Sequence, residues 1–235
     1  MINFPGKQQY NGEDLYRIVK ILRGEGGCPW DREQTHASIR RNLLEEADEL
    51  CEAIDRADPA MMREELGDVW LQVVFHAVMA EEEGSFTLDE VADAECRKLI
   101  GRHAHVFGSA TAATGAEALQ VWDEQKRLEK QQRTPGEAMD AMCRTLPALW
   151  RAEKVQKKSG ETMPDPETIA AQVRLTADRL ADALVSDGDV NAALGEALFA
   201  AVCAARLSGT DPEEALHARC ESFIRGVLAA EDQNR

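Results

Sequence analysis

Aromatic residues make up only 5% of this chain, and runs of valine, isoleucine and threonine are scarce. Sheets draw on both kinds of side chain, so their shortage favours helices throughout. None of the six cysteines, Cys28, Cys51, Cys96, Cys143, Cys203 and Cys220, is paired at C-x-x-C spacing. Most fall at apolar helical positions and read as small, reduced core residues, which suits a cytoplasmic protein. No apolar run reaches the roughly eighteen uninterrupted residues of a membrane span, and Met1 to Tyr10 lacks the charged-then-apolar order of a secretion signal, so neither a membrane nor export is expected. Positive charge is short too. With 27 Lys and Arg against 43 Asp and Glu, the net charge is −16 and the pI about 4.8, a surface that repels nucleic-acid polymers.

What is present is helical pattern in quantity. The 235 residues, 44% hydrophobic, suffice for one large or two small domains. Periodicity predicts helices near 12–23, 34–57, 59–83, 87–103, 115–132, 136–159, 165–186, 189–208 and 211–230. Asp58-Pro59 separates the second and third of these with proline in a first turn. Gly84-Ser85 ends the third, and Thr87 with Glu90 forms a capping box for the next. Gly108 to Gly115 reads as a loop. Arg133-Thr134-Pro135-Gly136 is the expected boundary, dividing the chain into 1–134 and 135–235.

Two acidic clusters carry the chemistry. Glu45-Glu46-Ala47-Asp48-Glu49 and Glu64-Glu65-Leu66-Gly67-Asp68 lie about twenty residues apart on adjacent predicted helices. Spacings of three and four place Glu46 with Glu49, Glu45 with Glu49, and Glu65 with Asp68 on shared faces, where like charges repel. Such a face is either solvated or neutralised by a hard cation such as Mg²⁺, which prefers oxygen ligands. The apolar company favours the cation. Leu43, Leu44, Ala47, Leu50, Cys51 and Ile54 line the first helix, and Val69, Trp70, Val73, Val74, Ala77 and Val78 make the second almost wholly apolar after Asp68. A helix of that kind is expected to be buried, and carboxylates entering a core need a partner.

At this point the residues carry a resemblance. Gly27-Cys28-Pro29-Trp30-Asp31-Arg32-Glu33-Gln34-Thr35, then E-E-x-x-E at Glu45 to Glu49, E-L-G-D at Glu65 to Asp68, and Arg102-His103-Ala104-His105-Val106-Phe107 together resemble the MazG family of nucleoside triphosphate pyrophosphohydrolases. The resemblance implies an all-α, MazG-like helical bundle. It also implies hydrolysis of a nucleoside triphosphate between the α and β phosphates, dependent on Mg²⁺, for which Mn²⁺ can substitute. By match to the family motif, Glu46, Glu49, Glu65 and Asp68 are the metal ligands, and Glu45 is a further acid to orient or deprotonate water. Lys98 and Arg102, four apart, read either as an ordinary exposed pair or, with the resemblance, as phosphate-binding cations. The resemblance further places Trp122 against the base and Lys126 on phosphate, with Trp30 a second aromatic candidate; the competing role for either tryptophan is core packing.

Other patterns fail. His103 and His105, alternate residues of one predicted helix, should point apart, and no cysteine lies at ligand spacing, so no transition-metal site is expected. The glycines at 24–27 lack the G-K-[ST] ending of a P-loop.

Beyond the expected boundary the chain echoes itself. Leu194 to Val202 repeats the pattern of Leu66 to Val74, which suggests two tandem repeats. The second is degenerate: Leu175, Thr176 and Arg179 stand for Glu45, Glu46 and Glu49, Ala193 for Glu65, and Ser222 for Lys98, while only Glu196 remains, for Asp68. A single carboxylate beside an arginine holds Mg²⁺ poorly. The reading is therefore a catalytic first repeat and a structural second one, serving nucleotide-pool cleansing. The helix from Gly67 to Ala80 is apolar on most of its circumference, which predicts a homodimer. Two other classes compete: a catalytically silent nucleotide- or metal-binding regulator on the same helices, and a purely structural helical dimer.

Overall fold

The computed structural model describes residues 4, 6–130 and 134–233. The chain is all-α; no strand occurs among the described residues. It divides into two compact units, 1–126 and 127–235. The expected boundary begins at Arg133, outside the described residues.

In the first unit, α1 (Gly12–Arg23) starts at a capping box in which Asn11 and Asp14 satisfy each other's backbone N–H groups. Asp14, 1% exposed, also takes Lys7 as an ion partner. A short α2 (Pro29–Glu33) precedes α3 (Arg40–Asp55). The single helix expected over 34–57 thus begins only at Arg40. Thr35 and Ser38 hydrogen-bond each other's backbone, and the Ser38 hydroxyl donates to Gln34 Oε1, which holds 34–39 in turns instead. Asp58 caps α4 (Pro59–Glu82), with Pro59 in its first turn. Gly84, at φ +71°, supplies the left-handed residue that ends the helix. α5 (Leu88–Arg102) opens on the Thr87–Glu90 capping box, α6 (Ala104–Phe107) is a single turn, and α7 (Gly115–Glu129) leads into the second unit.

The core of this unit gathers Val19, Ile39, Val74, Phe75, Val78 and Met79, with Leu15, Tyr16, Leu71 and Leu88 packed against it. The expectation that all of α4 beyond Asp68 is buried is corrected. Val74 to Ala80 is buried apart from a half-buried His76, but Trp70 and Val73 remain 49% and 42% exposed. α1 covers only part of α4. Trp70 crosses the start of α1 at Gly12, where an added Cβ would stand 2.5 Å from its ring. Arg23 fastens the unit's parts together: it pairs with Glu82 at 2.7 Å, donates to the Asp31 and Gln34 carbonyls, and lies over the Phe75 ring.

The second unit contains α8 (Pro135–Asp140), α9 (Ala148–Lys158), α10 (Pro166–Val185), α11 (Val190–Ser208) and α12 (Pro212–Gln233). The helix expected over 136–159 is two, because Pro147, which has no N–H to give, sits at the N-cap of α9. α10 packs along α11, which also receives α9; Ile169, Thr176, Ala183, Ala200 and Val202 are buried here. By length and composition alone α11 is apolar enough to cross a membrane. Its charged residues, however, meet neighbouring helices: Glu196 pairs with Arg179 at 3.1 Å, and Arg206 donates to Gln156.

The cysteine expectation is also corrected. Cys51, Cys96, Cys143 and Cys220 are exposed, and Cys28 and Cys203 are half-buried.

Candidate metal centre and active site

α3 and α4 are joined by a tight turn through Asp58 and lie side by side. That brings the two acidic faces together. Glu46 and Glu49 from α3 and Glu65 from α4 each offer a carboxylate oxygen within 4.8 Å of the others. Glu65 is buried, Glu46 half-buried and Glu49 exposed, so the cluster opens to solvent on one side. Among the described residues no lysine or arginine pairs with any of the three. Burial, reinforced by the charges of Asp68, Glu49 and Glu45, holds the Glu46 carboxyl above the ordinary range. Glu65 is raised in the same way, by burial first and then by Glu49, Asp68, Glu64 and Glu46. Carboxylates that repel each other in a partly dry place form a site prepared for a cation. The donors are all oxygen, the set that suits a hard ion.

Asp68, half-buried one turn beyond Glu65, adds its charge to both raised carboxyls without joining the three-oxygen cluster. Glu45 turns outward and takes Arg41 at 2.7 Å.

The remaining expected residues fall into two groups. Arg102, 7% exposed at the end of α5, lies 5.2 Å from the Trp122 ring centre. His103 meets the same ring edge-on at 4.8 Å. Trp122 is therefore half-buried on a cationic and an aromatic neighbour rather than in an aliphatic core, and Lys126 follows one turn later on α7. Lys98 pairs with Glu95 on its own helix. Trp30 is 61% exposed on α2, so the core-packing alternative fails for it. The expectation for the histidines is corrected as well. α5 ends at His103, the chain turns there, and the rings of His103 and His105 come within 5.6 Å instead of pointing apart. No histidine joins the carboxylate cluster.

One arrangement had no signal in the sequence. His36 and His76, forty residues apart, stack nearly parallel with their Nδ1 atoms 2.7 Å from each other. Burial and the nearby His36 push the His76 imidazole below its usual value. Glu65, Gln72 and His76 recur at helical spacing along one face of α4, and Gln72 Oε1 and His76 Nε2 are buried without a partner. A polar seam thus runs from the acids into an otherwise apolar helix.

Comparison with known proteins agrees with this geometry. Residues 34–107, which span the acid pair, α5 and α6, match the model of the MazG nucleotide pyrophosphohydrolase domain. The nucleoside triphosphate pyrophosphohydrolase of Escherichia coli K12 is 39% identical over 219 residues, 90% of this chain and 83% of that one. The nucleoside triphosphate pyrophosphohydrolase/pyrophosphatase MazG of Thermotoga maritima is 36% identical over 223 residues, 94% of this chain and 85% of that one. The likeness extends through the second unit as well as the first, and the chain belongs to the MazG nucleotide pyrophosphohydrolase family.

Proposed function

We propose that the first unit hydrolyses nucleoside triphosphates between the α and β phosphates, releasing nucleoside monophosphate and pyrophosphate, and so removes unwanted nucleotides from the cytoplasmic pool. The observation that carries this reading is the Glu46–Glu49–Glu65 cluster, three carboxylate oxygens within 4.8 Å. Left to themselves such groups destabilise the fold; they are useful when something positive lies among them.

Glu46, Glu49, Glu65 and Asp68 would hold Mg²⁺, with Mn²⁺ as a substitute. The ion supplies neutralisation of phosphate charge and polarises the phosphoryl group. Glu45 stands outside the cluster on the exposed face of α3, where exchange of its Arg41 pairing frees a carboxylate to orient and deprotonate water. Lys98 and Arg102 on α5 stabilise the negative charge that gathers on the leaving pyrophosphate, and Lys126 adds a third cation. Trp122, half-buried and backed by Arg102, stacks on the base. Trp30 is a second exposed aromatic surface.

The working form is a homodimer. Leu66 and Val73 on α4 with Leu44 and Ile54 on α3, all exposed, supply an apolar face for it.

A panel of ribo- and deoxynucleoside triphosphates, with and without Mg²⁺ and with products separated by chromatography, tests the reaction. Monophosphate and pyrophosphate are expected, and only with the ion. Diphosphate and orthophosphate would place cleavage at the γ phosphate and overturn the proposal. Absence of turnover with retained nucleotide binding would identify a silent regulator.

A further inference from the structure

The second unit, whose described residues form no acid cluster, contains a half-open cavity of about 320 Å³ lined by α9, the 159–164 connection, α10 and α11. Its apolar walls come from Val155, Met163, Pro164, Phe199 and Cys203. Two polar residues on the cavity wall are held in fixed positions. Gln156, 9% exposed, donates through Nε2 to the Phe199 carbonyl at 2.8 Å. Its Oε1 accepts from Arg206 Nη1 at 3.2 Å, which sets the guanidinium against the cavity, while the buried Arg206 Nε–H has no acceptor. A cation fixed by a buried amide, with a donor unspent, beside flat apolar surface is the composition of a small-molecule site.

The register that places Val202 opposite Val74 also places Ala200 opposite Gln72 and Ala204 opposite His76. In that register the polar side chains of the first unit's seam correspond to methyl groups in the second, and Ala200 lies on the cavity wall.

We infer that this cavity binds the uncharged, planar heterocycle of a nucleobase or nucleoside, without metal. Met163, Pro164 and Phe199 suit a flat aromatic ligand, Arg206 suits a carbonyl or ring-nitrogen acceptor, and the Ser159 and Thr162 hydroxyls suit a sugar or exocyclic group. A polyphosphate is disfavoured. Glu161 and Glu196 lie on the wall, Glu196 already engaged by Arg179, and the carboxylate set that would carry Mg²⁺ is missing. The volume falls in the range of pockets that enclose small ligands.

Isothermal titration of the full chain in EDTA with adenosine, guanosine, cytidine, uridine and thymidine tests the assignment, because it silences the proposed metal-dependent reaction. At least one nucleoside should bind at micromolar to millimolar concentration, equally in wild type and in Asp68→Asn. Arg206→Met should weaken it tenfold or more. Thr162→Trp, a change on the exposed connection that keeps the helices intact, should block the cavity and abolish binding even if Arg206→Met fails to fold. Three results would overturn the inference: no nucleoside binding up to millimolar concentration, binding that survives Thr162→Trp, or binding lost in Asp68→Asn or in Trp122→Ala, which would put the ligand in the first unit. Triphosphate hydrolysis measured separately with Mg²⁺ stands or falls independently of these outcomes.

Discussion

α3 with α4 and α10 with α11 are the two closest helix pairs of the chain, one in each unit, and they differ where chemistry would reside. In the first pair Glu46, Glu49 and Glu65 converge, and among the described residues no lysine or arginine pairs with them. In the second, Thr176 is 1% exposed and spends its hydroxyl on the Gln172 and Val173 carbonyls, and Arg179 takes up Glu196. Thr176, Arg179 and Glu196 have each found a partner inside the protein. The first pair retains unrelieved repulsion, with two carboxyls held above their ordinary range by burial and by each other. Repulsion maintained at one pair and discharged at the other supports a ligand for the first and a packing role for the second.

The largest effect should come from destroying what distinguishes the first pair. Glu65→Gln or Asp68→Asn is expected to lower turnover on the order of 100-fold or more, the scale of a lost electrostatic stabiliser. Circular dichroism should remain helical, and in EDTA the variants should melt no lower than wild type, since a repelling charge has gone. Added Mg²⁺ should raise the melting temperature of wild type and leave that of Glu65→Gln nearly unmoved. Full activity in either variant would reduce the cluster to a solvated face.

How much of this was legible in the sequence follows from the range of the interactions. Local signals are read correctly at Asp58-Pro59 and at Thr87–Glu90, where a cap and its partner sit within three residues. The acid faces are legible for the same reason, because helical spacing alone aligns them. The break at 34–39 is not. Its cause is side-chain bonding by Thr35 and Ser38 that competes with a helix which the apolar pattern would otherwise continue. Exposure of Trp70, Val73 and four cysteines was misread because composition reports that a face is apolar, without reporting what covers it. The His36–His76 stack and the Arg23–Glu82 pair join residues forty or more apart and leave no trace in local pattern.

A smaller loss is expected at the base. Trp122→Ala should raise KM roughly tenfold, the scale of one lost base-stacking contact, with a lesser effect on kcat. Because Arg102 rests on the same ring, Trp122→Phe should recover much of the affinity. A fall in kcat alone would mean that Trp122 acts by holding Arg102 instead of the base.

The packing of the two pairs can be compared directly at Val74 and Val202, which are 0% and 1% exposed. If the units are repeats with a common packing plan, Val74→Ala and Val202→Ala should each cost about 2 kcal/mol of stability in denaturant unfolding. A cost at Val74 several times that at Val202 would show that the second pair is not packed as a copy of the first.

The smallest effect is expected where the second pair sets a cation beside its carboxylate. Arg179 and Glu196 are each 55% exposed in their side chains, so their ion pair contributes only about 0–1 kcal/mol. Arg179→Ala should therefore shift the unfolding midpoint slightly and leave triphosphate turnover unchanged. The substitution frees Glu196, and a lone carboxylate provides too few oxygens to hold Mg²⁺ against its hydration shell. No new metal-dependent stabilisation should appear either, which thermal melting with and without Mg²⁺ would register. The same variant in an Asp68→Asn background sharpens the test, since any turnover rescued there could arise only from the second pair. Loss of activity on the scale of Asp68→Asn alone would mean that α10 and α11 contribute to the reaction, and the division of labour between the two helix pairs would have to be abandoned.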